Sequence, residues 1–586
     1  MRQWMVAAKK ADFYAIAEKF HVDPVVARII RNREVIGEKN IRIYLGGNLS
    51  DLSDPHQMKD MDRLGGILAQ KIRKQAHIRI IGDYDVDGVT SSHLFLTALR
   101  RVGAKVDVVI PHRIQDGYGL SLHLLQQAKE DGVDTILTCD NGIAAIDEIA
   151  WAKAQKMTVL VTDHHAVPFE EHEGRRTEKK SLADAVVNPH QQDCGYPYKE
   201  LCGAGVAWNV IRVLYENYDM DKREAEDLLD FVAMATVCDV MSLTGENRIL
   251  VKEGLKRIRH TKNIGLQALM QACNVQPENI SAYHFGYVLG PCVNATGRLD
   301  TARHALRLFE TGQETEAEEI ARDLVDLNQE RKELTLQGVE MAKKLCEEGG
   351  YENDPVLVLF LPDVHESIAG LIAGRIREMY NRPVFVLTRG EEGVKGSGRS
   401  TENYSMYENM CGCAELFTKF GGHPMAAGLS LPEENVEKFR RKINENCPLT
   451  VEEVCPDIHI DMAMPVGYAS TELVHQFALL EPFGKDNPSP LFADRNLSIS
   501  RMWLIGKNRN VLRMSVLSEY GQPVPVIFFG DVETLFAYFT EKFGQEEVEN
   551  ALHGRKNRIL FSMVYTAKID FYQGNENLQL EMKYYR

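Results

Sequence analysis

Three aspartates at alternate positions, Asp83, Asp85 and Asp87 in IIGDYDVDGVTSS, follow an apolar run. On an extended strand, residues i, i+2 and i+4 face the same way, so three carboxylates are expected to crowd one face. Carboxylates that close repel, and each raises the pKa of the others unless a cation or hydrogen-bond donors intervene. A calcium loop opens with the same D-x-D-x-D-G, but it needs a chelating glutamate where this chain has Leu94. It also needs a helix in front, whereas HIRIIGD reads as a buried strand. The calcium-loop reading fails.

Other acids end other apolar runs. Asp140 closes DTILTCD, Asp163 closes MTVLVTD ahead of His164 and His165, and Asp239 lies in ATVCDV. Aspartate and histidine without cysteine suit Mn2+ or Mg2+, with imidazole favouring manganese. Six or seven such ligands exceed what one open ion needs, which points to two ions about 4 Å apart bridged by a carboxylate. Helix N-capping is the competing role for Asp85, Asp140 and Asp163, because aspartate is preferred at that position. Capping explains any one of them well and the whole set poorly.

The elements that must position these residues follow from periodicity. From His77 onward, short β-branched strands (HIRIIGD, VDVVIPH, DTILTCD, MTVLVTDHH) alternate with helical stretches such as SSHLFLTALRRV. That alternation argues for a mostly parallel sheet, whose ligands bind at the carboxyl ends of the strands. Residues 1 to about 70 show helical spacing and read as a cap on the sheet domain, and residues 203–347 are helical again. A second α/β pattern starts at VLVLFLP, and shorter strands after Asp457 read as a small barrel or sandwich.

Composition narrows the class. A chain of 586 residues suggests roughly three or four domains. No apolar run approaches the ~18 residues of a membrane span, and MRQWMVAAKKADFY lacks a signal-peptide core. Eleven cysteines, odd in number and scattered, suit a reducing cytoplasm, and the pair Cys411 and Cys413 lacks a second pair at zinc spacing. The net charge of −16 argues against a nucleic-acid partner until the acid is located, since much of it lies in segments such as Glu314–Glu330.

In order and spacing, GDYDVDG, TCDNG, TDHH and VCDV resemble the motifs of the DHH phosphoesterase superfamily. GPCVNATGRL, KGSGRS, FGGHPMAAG and EPFGKDNPSPLF narrow the resemblance to RecJ-type single-stranded-DNA-specific exonucleases, over nearly the whole chain. The fold implied is α/β and multidomain. It comprises an N-terminal helical cap (1–70), a parallel-sheet DHH domain (71–300), a connecting helix (301–348), a DHH-associated α/β domain (349–455) and a C-terminal OB-like β-barrel (456–586).

The function implied is 5′→3′ hydrolysis of single-stranded DNA in repair and recombination, with Asp83, Asp85, Asp87, Asp140, His164 and Asp239 holding two Mn2+ or Mg2+ ions. Asp140 would bridge them, His165 would face the scissile phosphate, and Asp163 would orient a neighbouring histidine. Asn294, Arg298, Ser397, Arg399, Gly421, Gly422 and His423 would hold substrate, and Arg501, Trp503, Lys507, Arg509 and Arg513 of the barrel would track the strand. The expected chain is a cytoplasmic monomer, with a single-strand-binding protein or a helicase as the kind of accessory partner. The alternative is a DHH phosphodiesterase for short oligonucleotides or cyclic dinucleotides, but such enzymes generally lack the barrel. Cys292 stands where relatives often carry arginine, and VHESIAG departs from the usual form, leaving His365 without an assigned role.

Overall fold

The strands His77–Ile81, Thr135–Cys139 and Thr158–Thr162 are buried along almost their whole length, as strands covered on both faces must be. With Lys105–Val109 at one edge and Ala185–Val187 at the other they form a five-stranded, wholly parallel sheet. The edge strand Ala185–Val187 and a small hairpin, Phe169–His172 with Arg175–Glu178, have no counterpart in the sequence pattern. Helices Leu122–Glu130 and Ile146–Ala154 contribute Leu124, Leu125, Ile149 and Ala152 to a core with Ile81, Ile136 and Val161. Helix Val86–Arg101 is buried at almost every position from Val86 to Leu99.

The computed structural model describes residues 3–113, 116, 119–172, 175–351, 353–390, 393–506, 510–572 and 574–586. Lys507 and Arg509 lie outside them. Among the described residues, no helix is long and apolar enough to cross a membrane.

The described chain divides into two compact units. The first comprises Leu52–Met241 and Ile249–Pro456. Besides the parallel sheet it contains the helix Glu314–Glu348, whose 35 residues span about 52 Å, and a second, mixed sheet. Strand Leu357–Phe360 pairs in parallel with Val384–Gly390, and Gly393–Arg399, Ala426–Leu431 and Lys419–His423 extend the sheet antiparallel. Its two faces alternate as strand geometry requires. Leu357, Leu359, Val384 and Val386 pack with helix Glu366–Tyr380 and the end of the long helix, while Val356, Val358, Phe385 and Leu387 pack on helix Val436–Glu445.

The second unit comprises Gln3–Asp51, Ser242–Arg248 and Asp457–Arg586. Six strands run in the order Met462–Ala463, Phe492–Ile505, Val511–Leu517, Pro523–Phe528, Asn575–Tyr585 and Leu560–Tyr572, and the last pairs back onto Phe492–Ile505 to close a barrel.

The N-terminal segment packs within the second unit from Gln3 to Asp51. Val25, Val26, Ile29 and Ile30 share the barrel's core with Met464, Val466, Leu473 and Phe477. Strand Trp4–Val6 pairs with Ile458–Ile460, and Arg33 grips Asp461 with both guanidinium nitrogens, at 2.7 and 3.1 Å. An apolar helix face states that it needs a partner, and here the partner lies more than 400 residues along the chain. The helix Met61–Arg73 does belong to the first unit and buries Leu64, Leu68 and Ile72.

Arg248 ties its segment into the second unit. It is 1% exposed, donates at 2.8 Å to the carbonyls of Tyr44, Leu479 and Leu480, and lies 4.0 Å over the Tyr44 ring. Arg248→Ala strands these buried acceptors and should destabilise the unit by about 3 kcal/mol, lowering the urea midpoint of its unfolding. An unchanged midpoint would refute the clamp.

Candidate metal centre

The aspartate run does not sit on one strand face. The strand ends at Ile81; Asp83 lies in the turn, Asp85 caps the next helix by accepting from Gly88 N at 3.0 Å, and Asp87 lies in its first turn. The carboxylates still converge, because the chain folds back on itself between strand and helix. A Cβ on Gly88 would come within 2.5 Å of the Asp83 backbone, so this turn requires glycine there.

Three groups of ligand atoms lie within 4.8 Å of one another: Asp83 with Asp85 and Asp140, Asp87 with His164 and Asp239, and Asp140 with His164 and His165. Asp140 and His164 each belong to two of them and so link the three groups. Asp140 takes a left-handed conformation, φ 61°, which aspartate tolerates better than most residues. His164 Nε2 lies 3.0 Å from Asp140 Oδ1, 3.6 Å from Asp239 Oδ2 and 3.7 Å from Asp87 Oδ2.

The electrostatics are those of a site built around positive charge. Burial, and then the neighbouring carboxylates, push Asp83 and Asp140 well above the ordinary carboxylate range and raise Asp85 as well. Burial pulls His164 down, towards the neutral imidazole that ligates metal. Asp83 Oδ1 and His164 Nε2 are buried without a hydrogen-bond partner among the described residues. Hard oxygen donors, one imidazole and orphaned lone pairs fit Mn2+ or Mg2+.

Asp163 turns away from this cluster. Its Oδ1 accepts from the backbone of His164 and His165 and, at 2.8 Å, from His165 Nδ1, while its Oδ2 accepts from Ile143 N. Burial alone would lower the His165 pKa, but this bond and the charges of Asp163, Asp239 and Asp87 outweigh it and raise the pKa to about 9.

The substrate candidates divide. Arg298 ends the helix Gly290–Leu299 and donates to Ser367 O at 2.6 Å. Burial, and then Arg113, Arg331 and Arg399, bring its pKa down to about 10, so cations gather here. Burial likewise lowers Arg399, with Arg113 and Arg377 adding to it. Ser397 and Gly421 line a cavity of about 410 Å³ with Tyr84, Arg113, Lys395 and Lys419. Gly422 and His423 are exposed on the strand Lys419–His423. Asn294 holds the aspartate turn instead, accepting from Val86 N at 3.2 Å.

Family models match in three places: the DHH family N-terminal domain at residues 77–236, the DHHA1 domain at 353–447 and the RecJ OB domain at 460–584. The single-stranded-DNA-specific exonuclease RecJ of Haemophilus influenzae is 32% identical over 582 residues, 96% of each chain. The chain belongs to the RecJ family. The RecJ of Bacillus subtilis is 33% identical over 512 residues, covering 87% of this chain but 63% of that longer protein. A crystal structure of RecJ from Thermus thermophilus in complex with Mn2+ shares the fold, with a TM-score of 0.79 at 24% identity over 100% of this chain and 79% of that one.

Among the described barrel candidates, Arg501, Trp503 and Arg513 share one face. Arg501 and Trp503 alternate along the strand Phe492–Ile505, with the Arg501 guanidinium 5.6 Å from the Trp503 ring, and Arg513 is Trp503's cross-strand partner.

Sequence reasoning missed two features. Gly203 N and Ala204 N, at the start of helix Gly203–Glu216, donate to the two oxygens of Asp87 at 2.6 and 2.7 Å. A Cβ on Gly203 would lie 2.6 Å from that of Asp140, and the glycines of LCGAGVAW were the available signal. Arg113, over the ring of Tyr84 at 4.9 Å, carries no motif at all.

Because Asp140 titrates above its ordinary value of ~4, folding of the cation-free protein loses stability as pH rises from there towards the raised value. Asp140→Asn should therefore raise the thermal midpoint in EDTA at pH 8 and shrink the upshift produced by Mn2+. A variant that melts lower in EDTA, or keeps the full Mn2+ shift, would remove Asp140 from the centre.

Proposed function

We propose that this chain is a metal-dependent exonuclease that hydrolyses single-stranded DNA from the 5′ end, with Asp83, Asp85, Asp87, Asp140, His164 and Asp239 holding two Mn2+ or Mg2+ ions. The observation that carries the reading is the pairing, within one unit, of the buried acid cluster with the cavity lined by Arg113, Lys395 and Lys419. When bound, such ions supply a water of lowered pKa and neutralise the oxygens of the phosphate under attack. RecJ of Thermus thermophilus, crystallised in complex with Mn2+, supports the choice of metal.

The chain's own groups do the rest. Asp163 fixes His165 at Nδ1, which leaves the Nε2 edge to present a proton and positive charge to a phosphate oxygen. Arg298, Arg399 and Arg113 hold the neighbouring phosphates, and arginine suits this because its planar fork meets two oxygens at once. The face of Arg501, Trp503 and Arg513 binds the strand further along by stacking and charge. In this reading the segments 1–70, 71–300, 301–348, 349–455 and 456–586 act as cap, DHH domain, connecting helix, DHH-associated domain and strand-binding barrel. The cap belongs structurally with the barrel from Gln3 to Asp51. The setting is cytoplasmic DNA repair and recombination, by a monomer working alongside a single-strand-binding protein or a helicase.

The test compares 5′-labelled long single strands, duplexes and dinucleotides with Mn2+ and Mg2+ supplied separately. Rapid loss of the single strand alone is expected; preference for dinucleotides would overturn the reading. Arg298→Ala and Arg399→Ala should keep their bound manganese and lose at least about a hundredfold in rate, the scale of one misplaced catalytic group. Loss of manganese would make these arginines structural. Changing Arg501, Lys507, Arg509 and Arg513 together to Gln should weaken binding of long strands and flatten its salt dependence, with little effect on a substrate of a few nucleotides. Unaltered binding at several salt concentrations would leave the barrel without this role.

A further inference from the structure

Two cysteines 19 residues apart meet at the helix that carries Arg298. Cys273 follows the helix Ile264–Ala272, Cys292 lies in the helix Gly290–Leu299, and their Sγ atoms are 3.8 Å apart. Both are free thiols. Their environments differ. Cys292 is 1% exposed, donates to Val288 O at 3.3 Å and accepts from Asn328 Nδ2 at 3.3 Å. Cys273 is partly exposed. The contact with Cys292, and the charge of Lys332, lower the Cys273 pKa, whereas the same contact and burial raise that of Cys292. The accessible thiol is thus the one that ionises more readily, which is the division of labour between an attacking and a resolving cysteine.

We propose that Cys273 and Cys292 are a redox pair, which hydrogen peroxide closes into a disulfide that switches off the adjoining phosphate-binding helix. The Cys273 thiolate attacks one peroxide oxygen, the O–O bond breaks, and the departing hydroxide takes a proton to become water. Cys273 is then a sulfenic acid. Cys292 gives up its proton and attacks that sulfur, the S–O bond breaks, and a second water leaves. The two thiols together lose two protons and two electrons, and the peroxide is reduced to two waters.

The consequence is mechanical. The sulfurs must close from 3.8 Å to about 2.05 Å, and Cys292 loses the S–H it donates to Val288 O, so strain and a lost hydrogen bond fall on its helix. That helix carries Asn294, which holds the aspartate turn, and Arg298, anchored on Ser367. A displacement of about 1 Å at such groups can cost ~10²-fold in rate.

The effect on rate rests on the proposed nuclease activity; the bond itself does not, so the two are read separately. The full-length protein, kept in EDTA, is treated with hydrogen peroxide and digested for peptide mapping, and an aliquot is returned to Mn2+ and assayed on single-stranded DNA. A Cys273–Cys292 linked peptide is expected, with at least tenfold loss of rate, both reversed by dithiothreitol. Cys273→Ser, and Cys273→Ala as a second variant, should form no link and keep their rate after peroxide. Absence of the linked peptide overturns the redox pair, whether or not the untreated protein cleaves DNA. A linked protein that cleaves at the untreated rate overturns the switch.

Discussion

Gathering four aspartates, Asp83, Asp85, Asp87 and Asp140, at one edge of a sheet is electrostatically costly, and much of the first unit is arranged around that cost. Carboxylates so close and so buried cannot all ionise without compensation, which is why Asp83 and Asp140 titrate far above their ordinary range. Part of the compensation is intrinsic. Asp87 receives two backbone N–H groups from the start of the helix Gly203–Glu216, where the helix dipole adds to the attraction. Asp163 takes four donors and stays ionised beside His165. The remaining repulsion is what a bound cation would relieve.

The demand for close approach shapes the backbone around it. Glycine at position 203 lets a helix end sit against Asp140, and glycine at 88 lets a helix begin against the Asp83 turn. Asn294, from a helix some two hundred residues later, steadies the same turn through Val86 N. Side chains of the helix Gly290–Leu299 are therefore linked to the acid turn on one side and, through Cys292, to the Cys273 thiol on the other. Chemistry at that sulfur pair has a short path to the site.

The barrel unit solves a different problem. It is assembled from three separated pieces of chain and held by a few buried polar anchors, Arg248 on three carbonyls and Arg33 on Asp461. Each anchor meets its partners with good geometry, which is the condition under which a buried charge can be tolerated. On its strands, a cation and an indole alternate on one face and a second cation stands opposite, an arrangement suited to stacking bases beside neutralised phosphates.

What the sequence by itself determined is what short-range periodicity carries: β-branched strands ending in aspartate, helices between them, a parallel sheet, and acids and histidines at its carboxyl edge. Those four strands stand where the alternation placed them; the three inner ones are buried on both faces, so they must be apolar and must end where polar groups are allowed, and Lys105–Val109 forms an edge. Only the tertiary structure decided how the aspartates meet, through a strand-to-helix turn and not along a strand face, since one residue of turn overrides a two-residue period. It also decided that Arg113 joins Arg298, that Asn294 holds a turn, and that residues 3–51 complete the distant barrel. An amphipathic helix shows in its sequence that one face needs covering, but which of several apolar surfaces covers it is settled by packing across the chain, where sequence distance carries no information.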